Sequence, residues 1–500
     1  MTDAARRIVA LDFGAESGRV AVGAFDGDRL SVEDVHRFPN LPVSLGGTLH
    51  WDFLRLFGEA LAGLRRARAG GPVASVGMDT WGVDFGLLDE RGRLLANPVH
   101  YRDARTEGMV EAATAVVPRA DIYRATGIQF MPINTLYQLL AMARTRDPLL
   151  AGADRLLMMG DLFGHFLCGS ATAEYTNAST SQCLDPVARD WARPLLERLG
   201  IPTRLLPEIV PPATILGPLR PDVAAGTGLQ GTRVVATASH DTAAAVVGAP
   251  LAGPGTAFLS SGTWSLLGLE VAAPIVTDAS YAANLTNEGG VGGTIRLLRN
   301  VAGLWLVQES RRALWPAGDG PSYDELAAAA AAAPAFTAFI DPDDERFLRP
   351  GDMPARVRAF CRDTGQTPPP DTPTLVRVLL ESLALRYAVV LDELAAAAGR
   401  PVEAVHVVGG GVNHRLLCQF TADAAGLPVR AGPVEATMLG NLVVQAMALG
   451  ELADVAEGRE LIARSFPITA YHPRADWSEP RARFAALRRS RAGRQPAPAT

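Results

Sequence analysis

No lysine occurs anywhere in the sequence, and all 47 basic residues are arginine. That absence excludes each mechanism built on a lysine amine: a Walker A phosphate loop, Schiff-base chemistry, a protein-kinase strand lysine and the Ser-x-x-Lys hydrolases. Any nucleotide must be held by another device. Cysteine is scarce too. Cys168, Cys183, Cys361 and Cys418 are widely spaced, with no Cys-x-x-Cys pair and no histidine cluster beside them. A zinc ribbon and a disulfide framework are thereby excluded, and the four read as reduced structural thiols.

Positive charge is also in short supply. The formal net charge is -6, which offers no basic face for a phosphate backbone, so nucleic acid is not an expected partner. A long unbroken apolar run is missing as well. The stretch from Thr242 to Leu269 carries no charge, but Gly, Pro, Ser and Thr interrupt it repeatedly, which argues against a membrane span. Met1 to Arg7 is polar and lacks the apolar core of a signal peptide. The expectation is a cytoplasmic protein with no membrane partner.

What is present is 500 residues with 48% hydrophobic content, more than a single core ordinarily holds. Two large domains are expected. The chain opens on strand, tight turn, strand: Ile8 to Leu11, then Asp12-Phe-Gly-Ala-Glu-Ser-Gly18, then Val20 to Val22. Apolar residues at helical spacing from Asp52 to Ala69 predict a helix, and a second hairpin is expected from Val73 through Asp79 to Leu88. The opening design recurs between Thr256 and Glu270, where Ser260-Ser-Gly-Thr263 forms the turn. Two such hairpins suggest two domains of related topology, with a boundary near residue 245.

Further on, Thr374 is expected to cap a long helix ending at Gly399. A buried strand from Val402 to Val408 runs into Gly409-Gly410-Gly411, and a helix begins near His414. The alanine run Ala327 to Ala333 reads as plain helix surface, and the chain from about Arg481 as a mobile tail.

Several of these segments can carry chemistry. Tight glycine turns cradle phosphate with backbone N–H groups and need no lysine. Asp12, at the end of the first strand, is placed to hold magnesium directly or through water, although an Asp in a turn is also ordinary. The Gly409 triplet suits close approach of a purine or phosphate. A Rossmann loop would need glycine where His414 stands. Ser239-His240-Asp241-Thr242 offers a carboxylate that could accept a substrate hydroxyl proton. On local pattern alone, Asp241 reads first as an N-cap.

Long blocks carry a resemblance. They are Asp79-Thr-Trp-Gly-Val-Asp-Phe85, Tyr101-Arg-Asp103, Thr126-Gly-Ile-Gln-Phe130, Asn134-Thr-Leu-Tyr-Gln-Leu139 and Glu174-Tyr-Thr-Asn-Ala-Ser179 in the first half. The second half adds His240-Asp-Thr242, Leu259-Ser-Ser-Gly-Thr-Trp264, Asn287-Glu-Gly-Gly290, Gly303-Leu-Trp305, Val408-Gly-Gly-Gly411 and Gly440-Asn441. From about Val9 to Pro473 the chain resembles the FGGY carbohydrate kinases of the actin, hexokinase and Hsp70 superfamily.

The resemblance implies an α/β fold of two actin-like (ribonuclease H-like) domains with the active site in the cleft between them. Residues 1–245 would bind mainly sugar, 246–480 mainly nucleotide, and 481–500 would form the tail. The implied substrates are a small ketose, L-rhamnulose before L-fuculose or D-xylulose, and ATP with Mg2+. Asp241 matches the family's catalytic base. Ala15, Glu16, Ser17, Gly18, Arg19, Thr263, Gln308 and Gly410 match its ATP-binding positions. Gly82, His240, Asp241, Thr242 and Asn300 match its ketose contacts. Glu16 stands where a Ser is also familiar, and Met159-Gly160-Asp161 where a Pro before Asp is expected; both bear on loop geometry. An actin-like ATPase module that binds partners is the reading from another class. It would have no need of a base for a sugar hydroxyl.

Overall fold

The computed structural model describes residues 6–492. The polar amino terminus therefore lies largely outside the described residues. Two compact units emerge. The first comprises Met1–Pro250, Glu270–Leu298 and Glu435–Phe466, and the second Leu251–Leu269, Arg299–Val434 and Pro467–Thr500.

The first unit is built on a six-stranded sheet ordered Thr214–Pro218, Arg233–Ala236, Ser75–Thr80, Arg6–Phe13, Ser17–Phe25, Leu30–Pro39. Arg6–Phe13 and Ser17–Phe25 form the expected antiparallel hairpin. Ser75–Thr80 does not pair with Phe85–Leu88 as expected. It runs parallel to Arg6–Phe13 and to Arg233–Ala236, while Phe85–Leu88 pairs with Arg155–Met158. The Trp81-Gly-Val-Asp84 segment fails to make a hairpin turn because its bonds go elsewhere: Val83 N–H donates to Thr180, and the Asp84 carboxylate gathers four donors, from Trp51, Trp81, Tyr101 and Gln138.

The first strand alternates at period two, so its faces serve different cores. Val9, Leu11 and Phe13 pack in one cluster with Phe53, Leu56 and Phe163, whereas Ile8 and Ala10 meet Ala243, Leu439 and Leu442 in another. The second cluster includes the helices Asp241–Val247 and Ala436–Ala448. These two cross closely because both contact positions are glycine. A Cβ on Gly440 would lie 1.8 Å from the Ala244 carbonyl oxygen, and one on Gly248 would lie 1.9 Å from that of Ala436.

The second unit repeats the design. Thr256–Ser261 and Trp264–Val271 form an antiparallel hairpin, Thr256–Ser261 pairs in parallel with Ala404–Val408, and Val429–Ala431 follows. The long helix is Thr372–Ala398, closed by Gly399 in the left-handed region as expected. Its cap is Asp371, not Thr374, since the Asp371 carboxylate accepts from the Thr374 N–H and leaves Thr374 inside the first turn. The segment expected to be a mobile tail is helical over Ser478–Ala492. Phe484 is fully buried, and Arg481 forms an ion pair with Asp392 at 2.5 Å, which ties the helix down. Residues 493–500 lie outside the described residues. Among the described residues, no helix is long and apolar enough to cross a membrane.

Candidate active site

Three parallel strands of the first unit end side by side, and ligands of open α/β sheets bind outside such carboxyl ends. Register decides what collects there. Asp12 is the pairing partner of Asp79 in the parallel ladder and of Arg19 across the hairpin. One step further, Thr80 bridges to His240, the residue before Asp241. Three carboxyl groups, from Asp12, Asp79 and Asp241, thus gather at the carboxyl ends of these strands.

Their environments separate them. Asp79 is fully buried, and burial followed by the charge of Asp12 holds its carboxyl well above the usual range. Its Oδ2 accepts from Asn441 Nδ2 at 2.6 Å, while its Oδ1 has no partner among the described residues. Asp12 faces Arg19, whose Nε donates to Oδ2 at 2.8 Å, and Arg19 is also paired with Glu435.

Asp241 is pushed up to about 7, first by burial and then by the negative charge of Asp12, with Arg296 pulling the other way. Its Oδ1 accepts from the Thr242 N–H at 2.6 Å and the Thr242 hydroxyl at 3.3 Å, and His240 Nε2 stands 3.3 Å away. Nothing among the described residues donates to Oδ2. The side chain keeps 32% of its exposure. A carboxylate fixed by one oxygen, open at the other and poised near neutrality is suited to taking a proton. The N-cap of this helix is His240, without a side-chain bond to the turn, and Asp241 occupies the first helical position.

Glu174, fully buried, holds the segment before Asp241. It accepts from the Ser239 N–H at 3.0 Å and the Ser239 hydroxyl at 2.7 Å, besides Thr176 and Asn177. Beneath His240 lie Arg296 and Glu288, both buried, with an Arg296 Nη1 to Glu288 distance of 3.1 Å. Neither was singled out for a role in the sequence. The available signal was an arginine flanked by apolar residues in the strand Ile295–Ala302, which also carries Arg299.

Gly82 lies beside Thr180, where a Cβ would come within 2.9 Å of the hydroxyl oxygen. The turn at Ala15, Glu16, Ser17 and Gly18 is closed by the Gly14 N–H donating to the Ser17 carbonyl, and by Asn40, which bonds Gly14 and Glu16. Gly18 has a packing role as well: a Cβ there would strike the Phe38 ring at 2.2 Å.

In the second unit, a cavity of about 1130 Å³ brings together Gln308 and Gly410 with Gly262, the neighbour of Thr263. Thr263 itself belongs to the turn, where its carbonyl accepts from Gly303 and Trp305. Asn300 lies on Ile295–Ala302 and is not among the residues lining the cavity. Gln308 Oε1 is buried without a partner among the described residues. Gly409 has φ 79°, a conformation that favours glycine, whereas a Cβ on Gly410 would meet nothing within 4 Å. The expectation that the alanine run is mere surface is corrected here. Ala327, Ala328 and Ala331 line the cavity, because small side chains on Tyr323–Ala332 leave room along it. A flat, small-residue wall opposite glycine backbone suits a planar base.

Residues 7–248 match the FGGY family of carbohydrate kinases, N-terminal domain, and residues 257–449 its C-terminal domain. The chain is 45% identical over 465 residues to a rhamnulokinase of Bacteroides thetaiotaomicron, covering 93% of this chain and 95% of that protein. It is 44% identical over 476 residues to a rhamnulokinase of Pectobacterium carotovorum, covering 95% and 94%. Among solved structures, the ligand-bound xylulose kinase from Lactobacillus acidophilus superposes with a TM-score of 0.80 at 17% identity, covering 98% and 97%. Plasmodium falciparum glycerol kinase with ADP gives 0.76 at 16% identity, covering 99% of each chain. These two likenesses establish the two-domain, actin-like fold.

Proposed function

Since the chain belongs to the FGGY family of carbohydrate kinases, we propose that it transfers the γ-phosphoryl group of ATP to the first-carbon hydroxyl of L-rhamnulose, giving L-rhamnulose 1-phosphate and ADP. The observation that carries the chemistry is Asp241, with one oxygen anchored, the other open and a proton affinity raised to about 7. The preference for L-rhamnulose rests on relatives named rhamnulokinase that align over more than nine-tenths of this chain.

Phosphoryl transfer is mostly positioning and charge stabilisation. Asp241 Oδ2 takes the proton of the attacking hydroxyl, while the Thr242 N–H keeps Oδ1 in place. Gly82, His240, Thr242 and Asn300 are assigned to the sugar. Backbone N–H groups of the Ala15 to Gly18 and Gly262-Thr263 turns, together with Arg19, are assigned to the phosphates. The base is assigned to the wall between Gly410 and the alanine helix, beside Gln308. Magnesium is assigned to the side of Asp12 and Asp79, where Asp79 Oδ1 has no hydrogen-bond partner among the described residues, although these residues form no complete ligand set by themselves. Asp12 would hold the ion, directly or through water, and the ion would supply neutralisation of phosphate charge.

A coupled ADP assay with magnesium tests the reading. ADP release depends on added ketose and has its highest kcat/KM with L-rhamnulose. Equal or better turnover of L-fuculose or D-xylulose overturns the substrate while leaving the kinase in place, and ketose-independent ATP hydrolysis favours an ATPase module instead.

A further inference from the structure

His240 is a histidine whose two nitrogens face chemically different neighbours. On one side, Arg296 Nη2 lies 3.1 Å from Nδ1. A guanidinium has five N–H donors and no acceptor, and it does not lose its proton in proteins. Two N–H groups cannot point at each other across that distance, so Nδ1 must present its lone pair. A neutral imidazole then carries its proton on Nε2.

An imidazolium with Nδ1–H directed at Glu288 is the competing arrangement, because Glu288 Oε2 lies 3.5 Å from Nδ1. Three observations disfavour it. Arg296 is nearer to Nδ1 than Glu288 is. The same Glu288 oxygen forms an ion pair with Arg296 Nη1 at 3.1 Å, so a positive charge already faces it, although neither atom makes a hydrogen bond among the described residues. Burial and the adjacent guanidinium also hold the imidazole well below its ordinary pKa, against taking a second proton. Arg296 cannot swing away easily: it is fully buried, and its Nε donates to the Gly289 carbonyl at 2.9 Å.

We infer that Arg296 is a positioning residue that fixes His240 as the neutral Nε2–H tautomer, so that this imidazole offers a donor, and never an acceptor, to a sugar oxygen beside Asp241. The part concerning sugar rests on the kinase reading above; the tautomer does not. One consequence follows for specificity. An oxygen of the ketose lying against Nε2 accepts a hydrogen bond from His240, and its own hydroxyl proton is free for another partner.

The test is a long-range 1H–15N correlation spectrum of the full chain labelled in its eight histidines, with His240→Gln identifying the His240 signals by their loss. Near neutral pH, His240 shows a protonated Nε2 and a bare Nδ1. An Nδ1–H tautomer or an imidazolium in the unsubstituted protein overturns the inference, whatever any variant does. Arg296→Met then assigns the cause. Its His240 pattern shifts toward a mixture of tautomers, and kcat/KM for the ketose falls by about 10- to 100-fold, the range known for loss of the partner that orients a metal-bound histidine. The KM for ATP stays unchanged. A folded Arg296→Met protein that retains a pure Nε2–H signal overturns the role of Arg296. If that variant does not fold, the spectrum of the unsubstituted protein still decides the tautomer. Normal turnover in Asp241→Asn would remove the base and leave the His240 spectrum as it is, so the two readings fail separately.

Discussion

Replacing Asp241 by Asn changes one atom of a carboxyl group that the fold holds at a disadvantage. The Asn side-chain oxygen can still accept from the Thr242 N–H, so the local geometry of the turn is preserved. What disappears is the proton acceptor. A general base contributes typically ~10²- to 10⁴-fold, so kcat falls by about that factor while both substrates still bind. Stability moves in the opposite direction. Burial and Asp12 raise the folded pKa to about 7 from an ordinary value of 3.8, so the folded state carries a cost that is absent below about pH 4, grows between the two values and is complete above about 7. At about 1.36 kcal/mol per pH unit the full shift amounts to roughly 4 kcal/mol. Partial exposure of the side chain admits solvent screening and reduces this to on the order of 1–3 kcal/mol. The Asn variant therefore melts several degrees higher near pH 8, and the gain shrinks toward zero near pH 4. Steady-state kinetics and thermal melting of the ligand-free protein at both pH values give the answer. Near-normal turnover in a folded Asp241→Asn protein refutes the base. An unchanged or lower melting temperature near pH 8 refutes the argument about the buried charge.

The same carboxyl gives an acid limb in the pH profile: kcat/KM for the ketose falls about tenfold per unit below about pH 7, as Oδ2 becomes protonated, and a flat profile down to pH 5 contradicts this. Gly410→Asp raises the KM for ATP by more than about tenfold and leaves that for sugar alone, because Gly410 lines the cavity and a Cβ there meets no protein atom within 4 Å, so the protein leaves room for the added charge; unchanged ATP binding by calorimetry would mean the triplet is only a turn. Gly440→Ala lowers the melting temperature sharply or prevents soluble expression, since its methyl group would overlap the Ala244 carbonyl and force the helices apart by more than a small shift can relieve; a melting temperature within a degree of the original contradicts the close crossing.

The opening hairpins, the long helix and its Gly399 stop, and the strand before Gly409 were legible in the sequence because each is specified by neighbours: turn glycines, apolar spacing and a left-handed stop act over a few residues. The roles proposed for Asp12 and Asp241 were suggested in two ways, Asp12 by its place at the end of a strand before a glycine turn and Asp241 by the His240-Asp-Thr242 block that resembles a family. Tertiary structure alone decided their company. Asp12 meets Asp79 through a parallel ladder between strands far apart in the chain, and parallel pairing leaves no turn signal to read. That ladder is also why Ser75–Thr80 forms no hairpin with Phe85–Leu88. Likewise Glu270–Leu298 and Glu435–Phe466 join the first unit although they follow the expected boundary near 245, because burial of Leu439 and Leu442 against Ile8 and Ala10 is a property of the folded chain. Arg296 reaches His240 across 56 residues. Its donor-only chemistry was written in the sequence, but the nitrogen it faces was fixed only when a buried strand brought it beneath the imidazole.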